Sequence, residues 1–323
     1  MPPDRSRLLR PQPVLALLAV LAVACIVVFM TIDARGKWSF VLTFRGTKVA
    51  AMVLVAYAVA VSTVLFQTIT SNRILTPSVM GFDLLYRLIQ SALVAGLGAG
   101  AVVQLDPRLR FGCEVAAMLL FSGLLYRWLF FGGRRSLHLL MLVGIVFGVL
   151  FRSLTAFLQR IIDPNEFLVV QDRMFASFNR VDGSLLAVSA VIVLAVSVVG
   201  WRWIRTFDVL ALGREAAINL GIDHQRAVMG ILVLVAILVS VSTALVGPVT
   251  FFGLLVANLA YLLIRSHQHR FILPAAVLVA VVTLVGGQLV LERVFAFNSA
   301  LSIVIEFVGG LFFLFILVRG STR

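Results

Sequence analysis

Asp208-Val209-Leu210-Ala211-Leu212-Gly213-Arg214-Glu215-Ala216-Ala217-Ile218-Asn219-Leu220-Gly221 is a polar island between two apolar runs, residues 185–203 and 227–246. Each run has the length of a membrane helix, since about 30 Å of hydrocarbon takes roughly 20 helical residues. A charged helical stretch between two spans is held at a membrane surface, where a soluble partner can grip it. Asp208 is placed to cap this helix and Gly221 to end it. On a wheel of about 100° per residue, Leu212, Ala216, Ala217 and Leu220 fall on one side, with Arg214, Glu215 and Asn219 on the other. A helix lying on lipid would carry Trp or Phe where this one has alanines, so its apolar face is weak for that role.

The rest of the chain is oilier still. Of 323 residues, 61% are hydrophobic and 13% charged, with a mean hydropathy of +1.09, whereas soluble domains carry about 25% charged residues. About ten apolar runs of spanning length recur, over residues 14–30, 49–66, 84–103, 115–131, 137–158, 185–203, 227–246, 248–264, 272–291 and 301–318. Barrel strands would be shorter and alternate in polarity, and lipid offers no partner to an unpaired backbone group. The expectation is an all-α, polytopic membrane bundle forming a single domain over residues 1–323, with the polar helix 208–221 between spans 6 and 7.

The formal net charge is +13, but the basic residues are scattered among loops and form no stripe with interleaved aromatics, which argues against nucleic acid. If Arg5, Arg7 and Arg10 hold the amino terminus in the cytoplasm, the larger share of the 27 Lys and Arg falls on the inner side, as the positive-inside rule requires. An even number of spans then returns Arg319 and Arg323 to the same side. Ala22-Val23-Ala24-Cys25 faintly resembles a lipoprotein cleavage site, yet apolar residues continue to Met30, so the stretch reads as a span. The other cysteine is Cys113, and two cysteines suggest neither a disulfide framework nor a metal cluster.

The longest polar stretch, 159–183, falls outside the cytoplasm by this topology. Two inner segments read as broken or re-entrant helices. In the first, after Gln67, Asn72 precedes Pro77, which lacks a donor, and Gly81, which frees the backbone. In the second, Gly247 precedes Pro248, which suits the first turn of a new helix. Irregular backbone at such depth is tolerated only where protein or a watery path covers it.

Four stretches together resemble the FecCD-type permeases of iron-chelate importers, relatives of the cobalamin permease. Leu212 to Gly221 resembles the family's coupling helix. Phe66-Gln67-Thr68-Ile69-Thr70-Ser71-Asn72 with Pro77 and Gly81 resembles its loop after the second helix. Gly247-Pro248-Val249-Thr250-Phe251-Phe252-Gly253-Leu254 resembles its Gly-Pro-Ile-x-Phe-Val-Gly-Leu, and His269-Arg270 with Pro274 resembles a loop that follows. Two departures stand out: Ala257-Asn258-Leu259-Ala260-Tyr261 replaces a Pro-His-x-x-Arg, and Asn298-Ser299-Ala300 replaces an acidic Glu-Leu-Pro. These variants resemble a subgroup serving catecholate-type siderophores, in which two different permeases pair.

The resemblance implies a multi-pass protein of the bacterial cytoplasmic membrane, with both termini cytoplasmic. It implies a second permease subunit, an ATPase dimer gripping Leu212, Gly213, Arg214, Glu215, Ala216, Ala217, Leu220 and Gly221, and an extracytoplasmic binding protein delivering a ferric siderophore. The chain contains no Gly-x-x-x-x-Gly-Lys-[Ser/Thr] loop, so ATP and Mg belong to the partner ATPase. No catalytic residue, metal ligand or bound cofactor is expected in this chain.

Arg45 and Lys48, counted back from Gln67, match two basic positions that in relatives pair with acids of the binding protein, and Arg293 is a third docking candidate. Rim charges of this kind steer encounter; snorkelling at a helix end is the alternative. Asn72, Pro77, Gly81, Gly247 and Pro248 are candidates for the path or its gate. Glu306 joins them, because a carboxylate deep in a span costs about 2.5–3.5 kcal/mol on insertion scales and must face water or a polar partner. His267 and His269 lack further ligands nearby and so read as loop residues. An ion-gradient-driven secondary transporter, with broken helices at Pro77 and Pro248 forming a midplane site, is the alternative mechanism, and haem or cobalamin the alternative cargo. A membrane enzyme is disfavoured by the lack of His-Glu-x-x-His and Gly-x-Ser-x-Gly motifs.

Overall fold

A computed structural model describes residues 11–32, 38–130, 137–179, 181–264, 266–293, 303–305, 307–311 and 314. The helices are α1 (Pro11–Thr31), α2 (Trp38–Thr70), α3 (Phe82–Leu97), α4 (Ala99–Gln104), α5 (Pro107–Phe130), α6 (Leu137–Ile161) and α7 (Pro164–Arg173). They continue with α8 (Gly183–Trp201), α9 (Ile204–Leu210), α10 (Arg214–Asn219), α11 (His224–Val246), α12 (Phe252–Leu263) and α13 (His269–Arg293). A 3₁₀ turn, Pro77–Met80, precedes α3. No strand occurs among the described residues.

Seven of these helices, α1, α2, α5, α6, α8, α11 and α13, are long and apolar enough to cross a membrane. The other three expected spans differ for identifiable reasons. Residues 84–103 break at Gly98, whose φ of 80° turns α3 into α4. Residues 248–264 yield only α12, because 247–251 are irregular and the helix starts at Phe252. Most of 301–318 lies outside the described residues, although 303–305 and 307–311 are helical.

Helix α2 is the axis of the bundle. Ala51, Met52, Val55, Ala56, Ala58, Ala60 and Val64 are fully buried, and α11, α13, α12, α8 and α1 pack against it. Alanines let neighbouring backbones approach, which matters in lipid because association there rests on close packing. Helices α1 and α8, hydrophobic all round and only 17% buried over their spanning windows, form the periphery.

Two polar ties hold α2 antiparallel to α13. At one end the Lys48 ammonium meets Glu292 Oε1, which also accepts from Gln288 Nε2 at 2.6 Å. At the other end Thr68 Oγ1 lies 2.8 Å from His269 Nε2. Twenty residues of helix separate Lys48 from Thr68, a rise of about 30 Å, the thickness of the hydrocarbon layer. The bundle is therefore pinned at both faces.

Glu292→Gln strands the buried Lys48 charge and is expected to lower stability by about 3 kcal/mol, while the apolar double variant Lys48→Met/Glu292→Leu recovers most of it. Thermal unfolding of the two in detergent checks this.

Candidate functional site

The polar island folds as two short helices, not one. α9 ends at Leu210 and α10 begins at Arg214, with Gly213 between them at φ 98°, a conformation that side-chain-bearing residues resist. Gly221, at φ 82°, ends α10, and the Ile222 amide reaches back to the Ala217 carbonyl at 3.0 Å, an arrangement of the Schellman type. Asp223 then caps α11, accepting from the Arg226 amide at 3.1 Å.

Burial sorts these residues into two groups. Phe207, Leu210 and Ala217 are buried in the bundle. Leu212, Ile218 and Leu220 are 64%, 50% and 62% exposed, flanked by exposed Arg214, Glu215 and Asn219, with Ala216 half-buried. Ala217, expected on the outward face, thus seats the segment from within. Ile218, absent from the expected set, falls on the wheel between Arg214 and Glu215 and is exposed with them.

Asp208 was expected to cap this segment and does something else. It lies inside α9, and its Oδ1 receives both the His269 backbone amide at 2.7 Å and ring Nδ1 at 2.8 Å. His269 engages its other ring nitrogen with Thr68, so one buried imidazole joins α9, α13 and α2. Trp203, just ahead of α9, forms a second seat: its indole lies over Gly230 of α11, where any Cβ would come within 2.2 Å of the ring. The segment is thus held to the bundle at both points. His267 is exposed and takes no part.

The loop after α2 is fastened to α12. Asn258 Nδ2 donates to the Arg73 carbonyl at 3.0 Å, Gln67 Nε2 donates to the same oxygen at 2.7 Å, and the Arg73 guanidinium lies 4.6 Å from the Tyr261 ring centre. Asn258 and Tyr261 belong to the stretch that departs from the resembled pattern, and here they hold this loop. Asn72 is exposed and accepts from the Ile74 amide at 2.9 Å, a turn-forming role. Pro77 is the first residue of the buried 3₁₀ turn, and Gly81 at φ 88° hands the turn to α3. The turn fits against α6 because position 144 is glycine: a Cβ there would lie 2.8 Å from Met80 Cα.

The second irregular segment was expected on the inner side with the first. α11 starts beside α10 and climbs 23 residues, about 35 Å, before reaching Gly247, so this segment begins at the opposite end from α10. There the Ser177 amide donates to the Val246 carbonyl at 2.8 Å, and Gly247, at φ 100°, passes so close that a Cβ would lie 3.0 Å from Ala176 Cα. Pro248 is buried but does not open a helix; Thr250 and Phe251 intervene, Phe251 at φ 59°.

The two segments meet inside the bundle at Asp83, which is not among the residues expected from the sequence. Asp83 is buried, and its Oδ2 accepts from Thr250 Oγ1 at 3.3 Å. Ser62, Thr63, Ser78, Ser242 and Thr243 surround it, lining a cavity of about 30 Å³. An acid near the start of an apolar run was the available signal. Of the candidates for the path, Pro77 lines this polar junction; Gly81 lies beside α6, Gly247 against Ala176, and Asn72 stays outside it.

Arg45, Lys48 and Arg293 do gather at the end away from α10; Arg45 and Lys48 serve there as internal fasteners, and Arg293 stays exposed. Arg45 Nη1 donates to the carbonyls of Phe29, Met30 and Ile32 at 3.1, 3.3 and 2.8 Å, closing the end of α1. Lys48 is only 7% exposed and paired with Glu292. This corrects the expectation of a free rim charge there: the pair with Glu292 holds Lys48 inside the bundle. Arg293 is exposed, with Nη2 donating to the Ile32 carbonyl at 3.3 Å. Glu306 lies outside the described residues.

Known proteins share this organisation. A permease protein of the petrobactin import system, YclO of Bacillus subtilis (strain 168), is 49% identical over 311 residues, covering 96% of this chain and 98% of that one. FatC of Bacillus anthracis, another permease protein of a petrobactin import system, is 37% identical over 275 residues, covering 85% of this chain and 78% of its own length. Among solved structures, a metal-chelate type ABC transporter in an inward-facing conformation superposes with a TM-score of 0.81 at 20% identity, covering 96% of this chain and 100% of that chain, a likeness of fold. The profile of the FecCD transport family matches residues 13–319. The chain belongs to the FecCD transport family.

Proposed function

We propose that this chain is a permease subunit of an ATP-driven importer that brings a ferric siderophore, of the catecholate-bearing class, into the cytoplasm. The observation that carries the reading is the α9–α10 projection, which stands at the opposite end of the bundle from the Arg45, Lys48 and Arg293 cluster. Its apolar side chains, Leu212, Ile218 and Leu220, are offered to a partner while Phe207, Leu210 and Ala217 root it in the core. An apolar knob with a polar rim fits a protein groove, with energy at the buried centre and charges setting register.

In this reading the α10 end is cytoplasmic and meets a separate ATPase that holds ATP and Mg. The chain itself binds no cofactor, and both termini lie on that side. A second permease completes the path; FatC and FatD of Bacillus anthracis, two different chains both named as permease proteins of a petrobactin import system, support a pair of unlike chains. At the other end Arg293, exposed beside the α1 terminus, is the remaining docking charge for an extracytoplasmic binding protein. The Asp83 junction is the hinge of the path, because the two irregular segments line one small cavity there and Thr250 donates across it to the Asp83 carboxylate.

Force applied at α10 reaches the transmembrane helices through Asp208, His269 and Thr68. His269→Leu removes a hydrogen bond to a carboxylate, worth about 1.5–3 kcal/mol. Amide exchange across α9 is therefore expected to speed by about tenfold or more, with α5 and α6 unchanged, when followed by mass spectrometry.

Leu212→Asp and Glu215→Arg should each abolish co-purification with the ATPase and cut ATP-driven uptake by about an order of magnitude, the loss expected for a central contact, without changing membrane insertion. Pull-down and uptake in proteoliposomes measure both.

Reconstitution with and without the ATPase tests the mechanism itself. Uptake of a labelled ferric catecholate siderophore is expected only with ATPase and ATP, with haem and cobalamin as poor competitors. Uptake by the permeases alone on a proton or sodium gradient would overturn this function in favour of secondary transport.

A further inference from the structure

Between α8 and α13 runs a groove floored by α2 and α11, with a volume of about 370 Å³, inside the size range of roughly 300–1,000 Å³ typical of ligand sites. Val61, Leu65, Leu238, Leu273, Val277 and Leu278 make up much of its surface, and no acidic residue lines it. From Arg270 to Leu278 along α13 the groove runs about 12 Å parallel to the helices, a long and narrow shape. Phe207 of α9 and the His269 ring border its end nearest α10.

The mouth has a different chemistry. Trp201, 76% exposed, and Arg270, also exposed, both line it. Arg270 is posed there: its Nε donates to Gln268 Oε1 at 2.7 Å, and its guanidinium lies 4.6 Å from the Phe271 ring centre. Arg202, in the turn after α8, and Arg205, in the first turn of α9, are both exposed. Tryptophan is the residue of the membrane interface, guanidinium forks match phosphate oxygens, and basic pockets between transmembrane helices take anionic headgroups.

We propose that this groove is a binding site for one anionic phospholipid, with an acyl chain along α8 and α13 and its phosphate on Arg270. The lining is overwhelmingly apolar, with Tyr57, Ser197 and His269 the few polar side chains besides Trp201 and Arg270 at the mouth, which suits an acyl chain better than a polar iron chelate, and the cationic mouth selects phosphate over a neutral apolar occupant. The chain would pack against Phe207, which roots α9 in the core, and against the His269 ring, which holds Asp208 of α9. Lipid in the groove therefore braces the projection from beneath.

The test needs neither ATP nor the ATPase, so its outcome is independent of the import mechanism proposed above. Full-length chain with its permease partner is exchanged into detergent containing equal amounts of phosphatidylglycerol and phosphatidylcholine of the same acyl composition, and retained lipid is counted by native mass spectrometry. One phosphatidylglycerol is expected per copy of this chain, held about tenfold tighter than phosphatidylcholine. Both offer Arg270 a phosphate, but the choline cation cancels the headgroup charge and is repelled by exposed Arg202, Arg205 and Arg270. Millimolar inorganic phosphate should not displace it. Arg270→Gln, an exposed position that does not threaten folding, should erase the headgroup preference, and Ser197→Trp, which plugs the groove from α8, should reduce retention of both lipids. Equal retention of the two lipids by the unmodified protein, or undiminished preference in Arg270→Gln, overturns the proposal. So does a photo-crosslinker at Leu278 that captures a protein chain instead of lipid.

Discussion

The antiparallel pairing of α2 with α13 is the constraint on which the molecule depends. Lipid gives helices no hydrophobic reason to associate, so fixed geometry must come from close packing and a few polar contacts. The alanines of α2 supply the packing. Lys48 with Glu292 and Thr68 with His269 supply the contacts, one at each face. Because the second tie also includes Asp208, the device that registers two spans against each other is the same device that carries the surface projection.

Backbone chemistry explains the interior. Unpaired amides and carbonyls are costly in hydrocarbon, so irregular chain is admitted only where protein covers it. The turn at Pro77–Met80 is covered by α6 through Gly144, the loop before it is held by Asn258 and Gln67, and Gly247 is covered by the chain at Ala176. The break in each segment thus has a visible cover, and the polar junction at Asp83 lies where the two broken segments meet.

Much of this was legible in residue order, and the failures share a cause. Spanning runs are long and one-dimensional, so α1, α2, α5, α6, α8, α11 and α13 could be read directly. Gly98, Gly213 and Phe251 change chain direction within or beside apolar runs, and such changes depend on φ values that composition does not disclose. Ala217 shares a side of the wheel with Leu212 and so reads as part of the face offered to a partner, but only the folded chain shows that this side of α10 turns toward the bundle at Ala217. Lys48 was read as a surface charge because its partner, Glu292, lies 244 positions away. Asp208, His269 and Thr68 each had a plausible local role, and only the folded chain brings them to one point.

Phe251 holds a left-handed backbone, φ 59° and ψ −16°, at an energetic cost of about 1–3 kcal/mol for a bulky residue. Its Cβ lies so near Gly309 that a methyl there would come within 2.9 Å. Were residue 251 to relax to an ordinary conformation, its aromatic group would swing and the closing helical stretch would lose its resting place. The bundle thus keeps a small cocked spring where α12 begins, and the absence of a side chain at 309 is what lets the spring stay set.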